Sequence, residues 1–409
     1  MSGAYGKDLE RWIPRLIAVW REARKRGDGP ETRLTPQEVR EVGAGVKQLS
    51  LGLTRDRKLA GARYMDDPKL LGAYLLFYWP VSYAQAREAL GELPNRPRTV
   101  LDLGSGPGPM AFAALDAGAA EVTAADRSKP ALTLARALAA EAGEALATRE
   151  WDPTRKAAPP EGKYDLITMG HVLNELYGSG DEAVKPRAAL LEQALALVKP
   201  GGSLLVLEPA LRETSRLLLK VRDEMVEKGY AIRAPCMYRG ACPALVKESD
   251  WCHAERDWPM PKVVEEIARA AGLHKESLKM SYLMLAPKGE GWPEPRPERL
   301  FRIVSESLEG KGRQRFIGCG PEGRMGLAMQ EKHRTEKNER FFKLHRGDVI
   351  SVTNTEAKGD GLALDDTSEV KVVAYAGKGV PPPAPPSSTP PSPAPPSPLP
   401  SGEGKGEGS

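Results

Sequence analysis

The stretch VLDLGSGPGPM, Val100 to Met110, decides how the rest of the chain is read. VLDL is a short apolar run of strand type, GSGPG is a turn rich in glycine, and PM opens the apolar segment PMAFAALDAGA. A strand that turns on glycines into a helix brings backbone N–H groups close to a nucleotide-like ligand at the helix N-terminus. A dinucleotide fingerprint asks for Gly or Ala at the sixth position of G-x-G-x-x-G. That position is Pro109 here, and the glycines fall at Gly104, Gly106 and Gly108, with Asp102 before them. The spacing argues against NAD.

Outward from this loop, strand and helix patterns alternate from Arg98 to about Ala210, the signature of a doubly wound parallel sheet. EVTAAD is a strand ending on Asp126, KPALTLARALAAEAG a helix ending at Gly143, and ALATREWD a strand closing on Asp152. YDLITMG, RAALLEQALALV, the KPGG turn and SLLVLEP continue the alternation. Toward the N-terminus, Leu9 to about Leu93 reads as helical, with Thr35 and Pro36 as a helix start and an apolar helix pair, DDPKLLGAYLLFYWPVSYAQAREAL, interrupted at Pro80. Apolar helices of this kind are expected to be buried packing. Toward the C-terminus come a charged helix, LRETSRLLLKVRDEMVEKG, a cysteine segment, and a helix and strand, PKVVEEIARAAG and SYLMLAP. Short β-like runs such as RFIGCG, DVISVTN and EVKVVAYA then suggest a small barrel-like β domain.

The expected organisation is therefore α/β. An N-terminal helical subdomain spans 1–95, the glycine-loop sheet 96–230, a cysteine-rich segment 231–260, completion of the sheet 261–296, a basic β-rich domain 297–376 and a tail 377–409. A chain of 409 residues is long enough for two or three domains. No apolar run approaches the roughly 20 residues a membrane helix needs, and MSGAYGKDLERW lacks a secretory pattern. A soluble cytoplasmic protein with no membrane contact is expected, its oligomeric state open. The net charge of +4 is small, but Arg299 to Arg346 holds twelve Lys/Arg against six Asp/Glu, a local cationic excess. Residues 381–400 contain twelve prolines and should be disordered.

Three of the four cysteines fall in APCMYRGACPALVKESDWCHAERDW. Cys236, Cys242, Cys252 and the distant Cys319 do not follow the paired CxxC spacing of a zinc ribbon. A reducing compartment disfavours a disulfide framework, which leaves plain burial or metal ligation. Four thiolates from an irregular segment can hold an iron-sulfur cluster.

The D-x-G-x-G-x-G form resembles motif I of class I S-adenosylmethionine-dependent methyltransferases. The resemblance implies S-adenosyl-L-methionine bound along Asp102, Gly104, Gly106 and Gly108, with Asp126 at the ribose hydroxyls and Asp152 near the adenine. YDLITMGHVLNEL and LVKPGGSLLVLEP resemble the fourth strand and fifth-strand turn of that fold. The Asn/Asp-Pro-Pro-aromatic box of base-amino methyltransferases is absent from Gly170 to Glu175, and no cysteine lies at the sheet's active edge. His171, Asn174 and Glu208 remain pocket candidates, and the catalytic residues stay unassigned.

The segment PCMYRGACPALVKESDWCHAERD, with AYLLFYWPVSYAQA, the glycine loop and the basic C-terminal part, resembles the small-ribosomal-subunit (mitoribosomal) methyltransferase-like family over most of Leu9 to about Ala376. Its eukaryotic members act in mitochondrial ribosome assembly. The resemblance implies a structural [4Fe-4S] cluster on Cys236, Cys242, Cys252 and Cys319, with His253 the substitute ligand and zinc the alternative metal. It also implies the small ribosomal subunit and its ribosomal RNA as partners. Arg313, Arg315, Arg324, Lys332, Arg334, Lys337, Arg340, Lys343 and Arg346 would contact phosphates, with Phe341 and Phe342 stacking or in the core. Two functions follow: an RNA methyltransferase, or a non-catalytic assembly factor that keeps the cofactor pocket.

Overall fold

The computed structural model of the chain describes residues 6–155, 157–293 and 298–381. The expected disorder of the proline-rich tail beyond Pro381, and Pro297 as the start of the β-rich domain, fall outside the described residues.

Four helices form an N-terminal layer: α1 (Gly6–Ala23), α2 (Pro36–Ser50), α3 (Pro68–Ala73) and α4 (Trp79–Leu90). Thr35 and Glu38 cap α2 reciprocally, and the same Glu38 carboxylate takes a buried pair of 2.9 Å bonds from Arg21. The expected break at Pro80 does not occur. The helix runs on from α3 to α4 through a π-helical turn at Tyr74–Tyr78, with Trp79 N–H bonded to the Tyr74 carbonyl. Proline lacks an N–H and its ring crowds the carbonyl four residues back, and the wider π turn relieves that clash without ending the helix.

The first sheet is built from β1 (Thr99–Leu103), β2 (Glu121–Asp126), β3 (Ala147–Glu150), β4 (Tyr164–Gly170), β5 (Val198–Pro209), β6 (Ile232–Ala234), β7 (Ala254–Asp257) and β8 (Ser277–Leu285). Its helices are α5 (Pro109–Asp116), α6 (Lys129–Ala142), α7 (Val184–Leu195), α8 (Arg212–Glu227) and α9 (Lys262–Ala271). The strand order is β3-β2-β1-β4-β5-β8-β6, with β7 also on β8. Strands β1 to β5 pair in parallel, and β8 is antiparallel to β5, β6 and β7. That reversed strand between β5 and β6 separates this sheet from the all-parallel dinucleotide order and gives a class I methyltransferase fold. The N-terminal layer, α5, α6 and α9 cover one face, and α7 and α8 the other.

The second sheet, β9 (Leu300–Ile303), β10 (Leu308–Gly310), β11 (Arg313–Gly320), β12 (Gly323–Gln330), β13 (Val349–Thr353), β14 (Glu356–Lys358), β15 (Gly361–Leu364) and β16 (Glu369–Ala374), follows the order β14-β15-β12-β11-β9-β13-β16. This path has two ends, so the ladder is open where a barrel-like closure was expected. Its core holds Phe301, Phe316, Leu327 and Phe341. Among the described residues no helix is long and apolar enough to cross a membrane.

Candidate functional site

The strand order reverses between β1 and β4, the point where open α/β sheets bind ligands beyond the carboxyl ends of their strands. A cavity of about 700 Å³, the open solvent at its mouth included, lies there. Of the glycine loop, Gly104 lines it, while Gly106 and Gly108 lie behind the wall. Gly104 and Gly106 have φ of +71° and +53°, a backbone region costly for any residue with a Cβ. A Cβ on Gly104 would stand 2.3 Å from Val172, and one on Gly106 would press on Met65 at 3.0 Å. Asp102 lies beneath the loop, accepting bonds from Thr168 Oγ1 (2.7 Å) and Ala111 N–H (3.1 Å). It ties β1 to β4 and to the start of α5, and burial raises its carboxyl to about 7.

Asp126 ends β2 and lines the cavity. Its two oxygens accept the N–H groups of Gly106 (2.8 Å) and Ser128 (2.7 Å), which leaves lone pairs on both for further donors. Asp152 does not line the cavity. It lies two residues past β3 and accepts bonds from Thr154 N–H (3.0 Å) and Oγ1 (2.6 Å), while its neighbours Trp151 and Pro153 reach the wall.

The wall after β4 carries His171 and Glu175. His171 has φ +61°, uncommon for a residue other than glycine. Its Nε2 stands 3.0 Å from Gln85 Oε1, and Gln85 Nε2 donates to the Lys279 carbonyl at 2.9 Å. With the amide so oriented, the imidazole proton belongs on Nε2 and Nδ1 is the acceptor. Burial, aided by Lys275, pushes the imidazole down to about 4, so it is neutral near pH 7. Glu175 accepts bonds from Tyr64 OH (3.1 Å) and Gly61 N–H (3.3 Å), and burial raises it to about 7. The sequence reading missed Glu175. Its signal was an acid in the loop following the fourth strand, but its partners lie more than a hundred residues upstream. Asn174 and Glu208 support the wall without forming it. Glu208 is buried, accepts the N–H groups of Leu173 (2.9 Å) and Asn174 (3.2 Å), and fixes the loop that presents His171.

The N-terminal layer closes this cavity through Ala62 to Asp66 and Tyr74. Trp79 donates to the Pro107 carbonyl at 3.1 Å, so the helix read as buried packing also touches the glycine loop.

A second cavity, about 790 Å³, lies between the two sheets, and all four cysteines line it. Cys236 follows β6, Cys242 sits in the irregular loop held by α8, Cys252 precedes β7, and Cys319 comes from β11. Helix α8 builds the loop. Asp223 accepts the Cys242 N–H at 2.9 Å, Arg222 donates to the carbonyls of Tyr238 and Gly240, and Arg216 donates to those of Ala244 (3.1 Å), Lys247 (2.8 Å) and Asp250 (2.5 Å). Burial pushes all four thiols up, Cys242 to about 11, while Arg222 opposes the shift at Cys236. His253 also lines the cavity, stacked on Trp251 with ring centroids 4.1 Å apart. Among the described residues no three His, Cys, Asp or Glu side chains are disposed to hold a single metal ion.

A family model described as mitochondrial small ribosomal subunit Rsm22 matches residues 70–361, from α3 into β15 and through both cavities. The chain belongs to the Rsm22 family. No curated protein matches it. Among solved structures, it is similar to a methyltransferase from Pyrococcus furiosus at 14% identity, covering 51% of this chain and 83% of that one with a TM-score of 0.33. It is also similar to TrmN from Thermus thermophilus at 20% identity, covering 51% and 52% with a TM-score of 0.31. An S-adenosylmethionine-dependent methyltransferase from Mesorhizobium loti is 24% identical over 31% of this chain and 52% of that one, with a TM-score of 0.25. These likenesses add nothing to the strand order already described.

In this Rsm22 family member the basic positions of the second sheet divide. Arg324 pairs with Asp250 and Arg346 with Glu306, and both line the cysteine cavity. Arg313, Arg315, Lys332, Arg340 and Lys343 are exposed. Phe341 is fully buried and belongs to the core, with Phe342 packed beside it under Arg334.

Proposed function

We propose that this chain binds S-adenosylmethionine in the cavity at the β1/β4 switch point and methylates RNA of the small ribosomal subunit. The observation that carries the reading is the convergence of Gly104 from the left-handed glycine loop with Asp126, His171 and Glu175 on one cavity in a class I methyltransferase fold. Bound there, S-adenosylmethionine supplies an electrophilic methyl group on a sulfonium. Asp126 keeps free lone pairs for the ribose hydroxyls. His171, neutral and oriented by Gln85, can take a proton from the group that accepts the methyl. The exposed arginines and lysines of the second sheet supply phosphate contacts.

The same proposal assigns the four cysteines to a [4Fe-4S] cluster in a reducing, cytoplasmic setting. A single tetrahedral zinc needs sulfurs about 4 Å apart, given Zn–S bonds of about 2.3 Å. A four-iron cluster takes four thiolates, and the lining of one cavity by all four cysteines is the observation that supports it. Because Cys319 comes from the second sheet and the other three from the first sheet's flank, a cluster would cross-link the two.

The test is calorimetry with S-adenosylmethionine, followed by transfer of labelled methyl to small subunits. Binding with transfer supports the enzyme. Binding without transfer supports the assembly-factor reading, which the missing Asn/Asp-Pro-Pro box favours, and absence of binding overturns both. Iron and sulfide analysis of protein purified without oxygen tests the cluster separately.

A further inference from the structure

The wall of the cysteine cavity contains four arginines, Arg256, Arg302, Arg324 and Arg346, and no carboxylate. Arg222 adds a fifth guanidinium from α8, beside Cys236 and Cys242. The register of the second sheet places two of these around one thiol: on β11, Cys319 faces Arg302 of β9 on one side and Arg324 of β12 on the other. Directly paired residues of antiparallel strands point to the same face, so both guanidiniums accompany Cys319 into the cavity.

Their hydrogen bonds are incomplete in one consistent way. Their side-chain bonds run through terminal nitrogens only: Arg302 to Glu92 (2.8 Å) and the Gly347 carbonyl (3.2 Å), Arg324 through Nη1 to Asp250 (3.2 Å), and Arg222 to Asp223 (2.7 Å) and the Tyr238 and Gly240 carbonyls. The Nε–H of each is buried without a partner. Unmet buried donors are costly, and those of Arg302 and Arg324 on the cavity wall, with Arg222 beside Cys236 and Cys242, point to a missing acceptor among the sulfurs. Thiolates and sulfides meet that description.

We propose that Arg222, Arg302 and Arg324 are positioning residues for the sulfur-ligated group, donating to its sulfurs through Nε–H and offsetting its negative charge. The inference rests on the cluster reading above. Thiolates enclosed in a cavity need a nearby positive charge to be stable. Hydrogen bonds to the sulfurs and local net charge also set a cluster's reduction potential, so these arginines hold it higher than the cavity alone would.

The test compares wild type with Arg324→Gln and Arg324→Lys, purified without oxygen, for iron and sulfide content, melting temperature and reduction potential by redox titration. Arg324 is chosen because its carboxylate partner is exposed, so its loss spares the core. The expected result is an iron-loaded Arg324→Gln protein with a more negative potential, partly restored in Arg324→Lys. Iron lost from Arg324→Gln but kept by Arg324→Lys also supports the proposal. An unchanged potential in loaded Arg324→Gln, or loss of iron from both variants, overturns it. A wild type without iron overturns the cluster reading, and this inference falls with it.

Discussion

Replacing Glu92 with glutamine should loosen the junction between the three layers of this chain. The Glu92 side chain is 2% exposed and accepts bonds from Arg302 Nη2 (2.8 Å) and Nη1 (3.3 Å) and from Tyr282 OH (2.5 Å), with Arg256 Nη2 at 3.6 Å. One carboxylate thus binds the turn after α4, strand β8 and strand β9. Although burial opposes it, Glu92 holds the Arg302 guanidinium firmly protonated. An amide of the same shape leaves that buried cation uncompensated, and removing one partner of a buried pair costs about 3–5 kcal/mol. Against a total stability of about 5–15 kcal/mol, this is a large fraction. Urea unfolding of Glu92→Gln should show the loss, and limited proteolysis should release the second sheet sooner. The double variant Glu92→Leu/Arg302→Met removes both charges and should recover part of the loss, staying below wild type because the Tyr282 hydroxyl and Arg256 lose their acceptor. A Glu92→Gln loss below about 1 kcal/mol, or a double variant as unstable as the two single changes added, refutes the argument.

Gly106→Val forces a β-branched residue to φ +53° against Met65; S-adenosylmethionine binding, read by calorimetry, should be lost while small-subunit association persists. Glu175→Gln should alter the pH dependence of stability. The folded-state pKa of Glu175, about 7, exceeds its ordinary 4.5, so its contribution is complete below about pH 4.5 and fades as pH rises through 7. Relative to the variant, wild type should lose up to about 3 kcal/mol over that window, measured by urea unfolding at several pH values. Arg313→Gln/Arg315→Gln should weaken RNA binding across sequences and lower the salt slope by about 2, read from binding curves at several salt concentrations.

Strands β1, β2, β4 and β5 were legible because each is an apolar run closed by Gly, Pro or Asp, a signal contained within a few residues, whereas β3 is the polar, exposed run Ala-Thr-Arg-Glu and was placed by the alternation of elements alone. Asp126 was legible for the same reason, since its position at the end of β2 fixes its place at the switch point. Asp152 was not, because the chain leaves β3 at Glu150 and the Asx turn onto Thr154 carries the side chain off the wall. Glu175 and the closing segment Ala62–Asp66 meet only through tertiary packing of the N-terminal layer, which no local pattern encodes. The four cysteines could be counted in the sequence, but their convergence depends on β11 packing against the α8 loop, and the arginines around Cys319 are visible only in strand register.

The two cavities share supporting elements yet take their walls from different segments. Gln85 of α4 holds His171 and bonds to β8 at Lys279, while Ser281, two residues on, faces Glu208 in register and donates to the Cys252 carbonyl at 3.3 Å. The switch-point wall comes from the β1, β2 and β4 loops and the N-terminal layer, and no residue of 235–253 lines it. If the cysteines hold the proposed cluster, Cys242→Ser should remove it and weaken RNA binding, as the second sheet loses that cross-link, while S-adenosylmethionine affinity changes by less than about threefold, under 1 kcal/mol. Calorimetry and RNA binding on the same oxygen-free preparation decide it. Parallel loss of both affinities means that β8 transmits the state of the cysteine site to the loop bearing His171, and the two sites are then one cooperative unit.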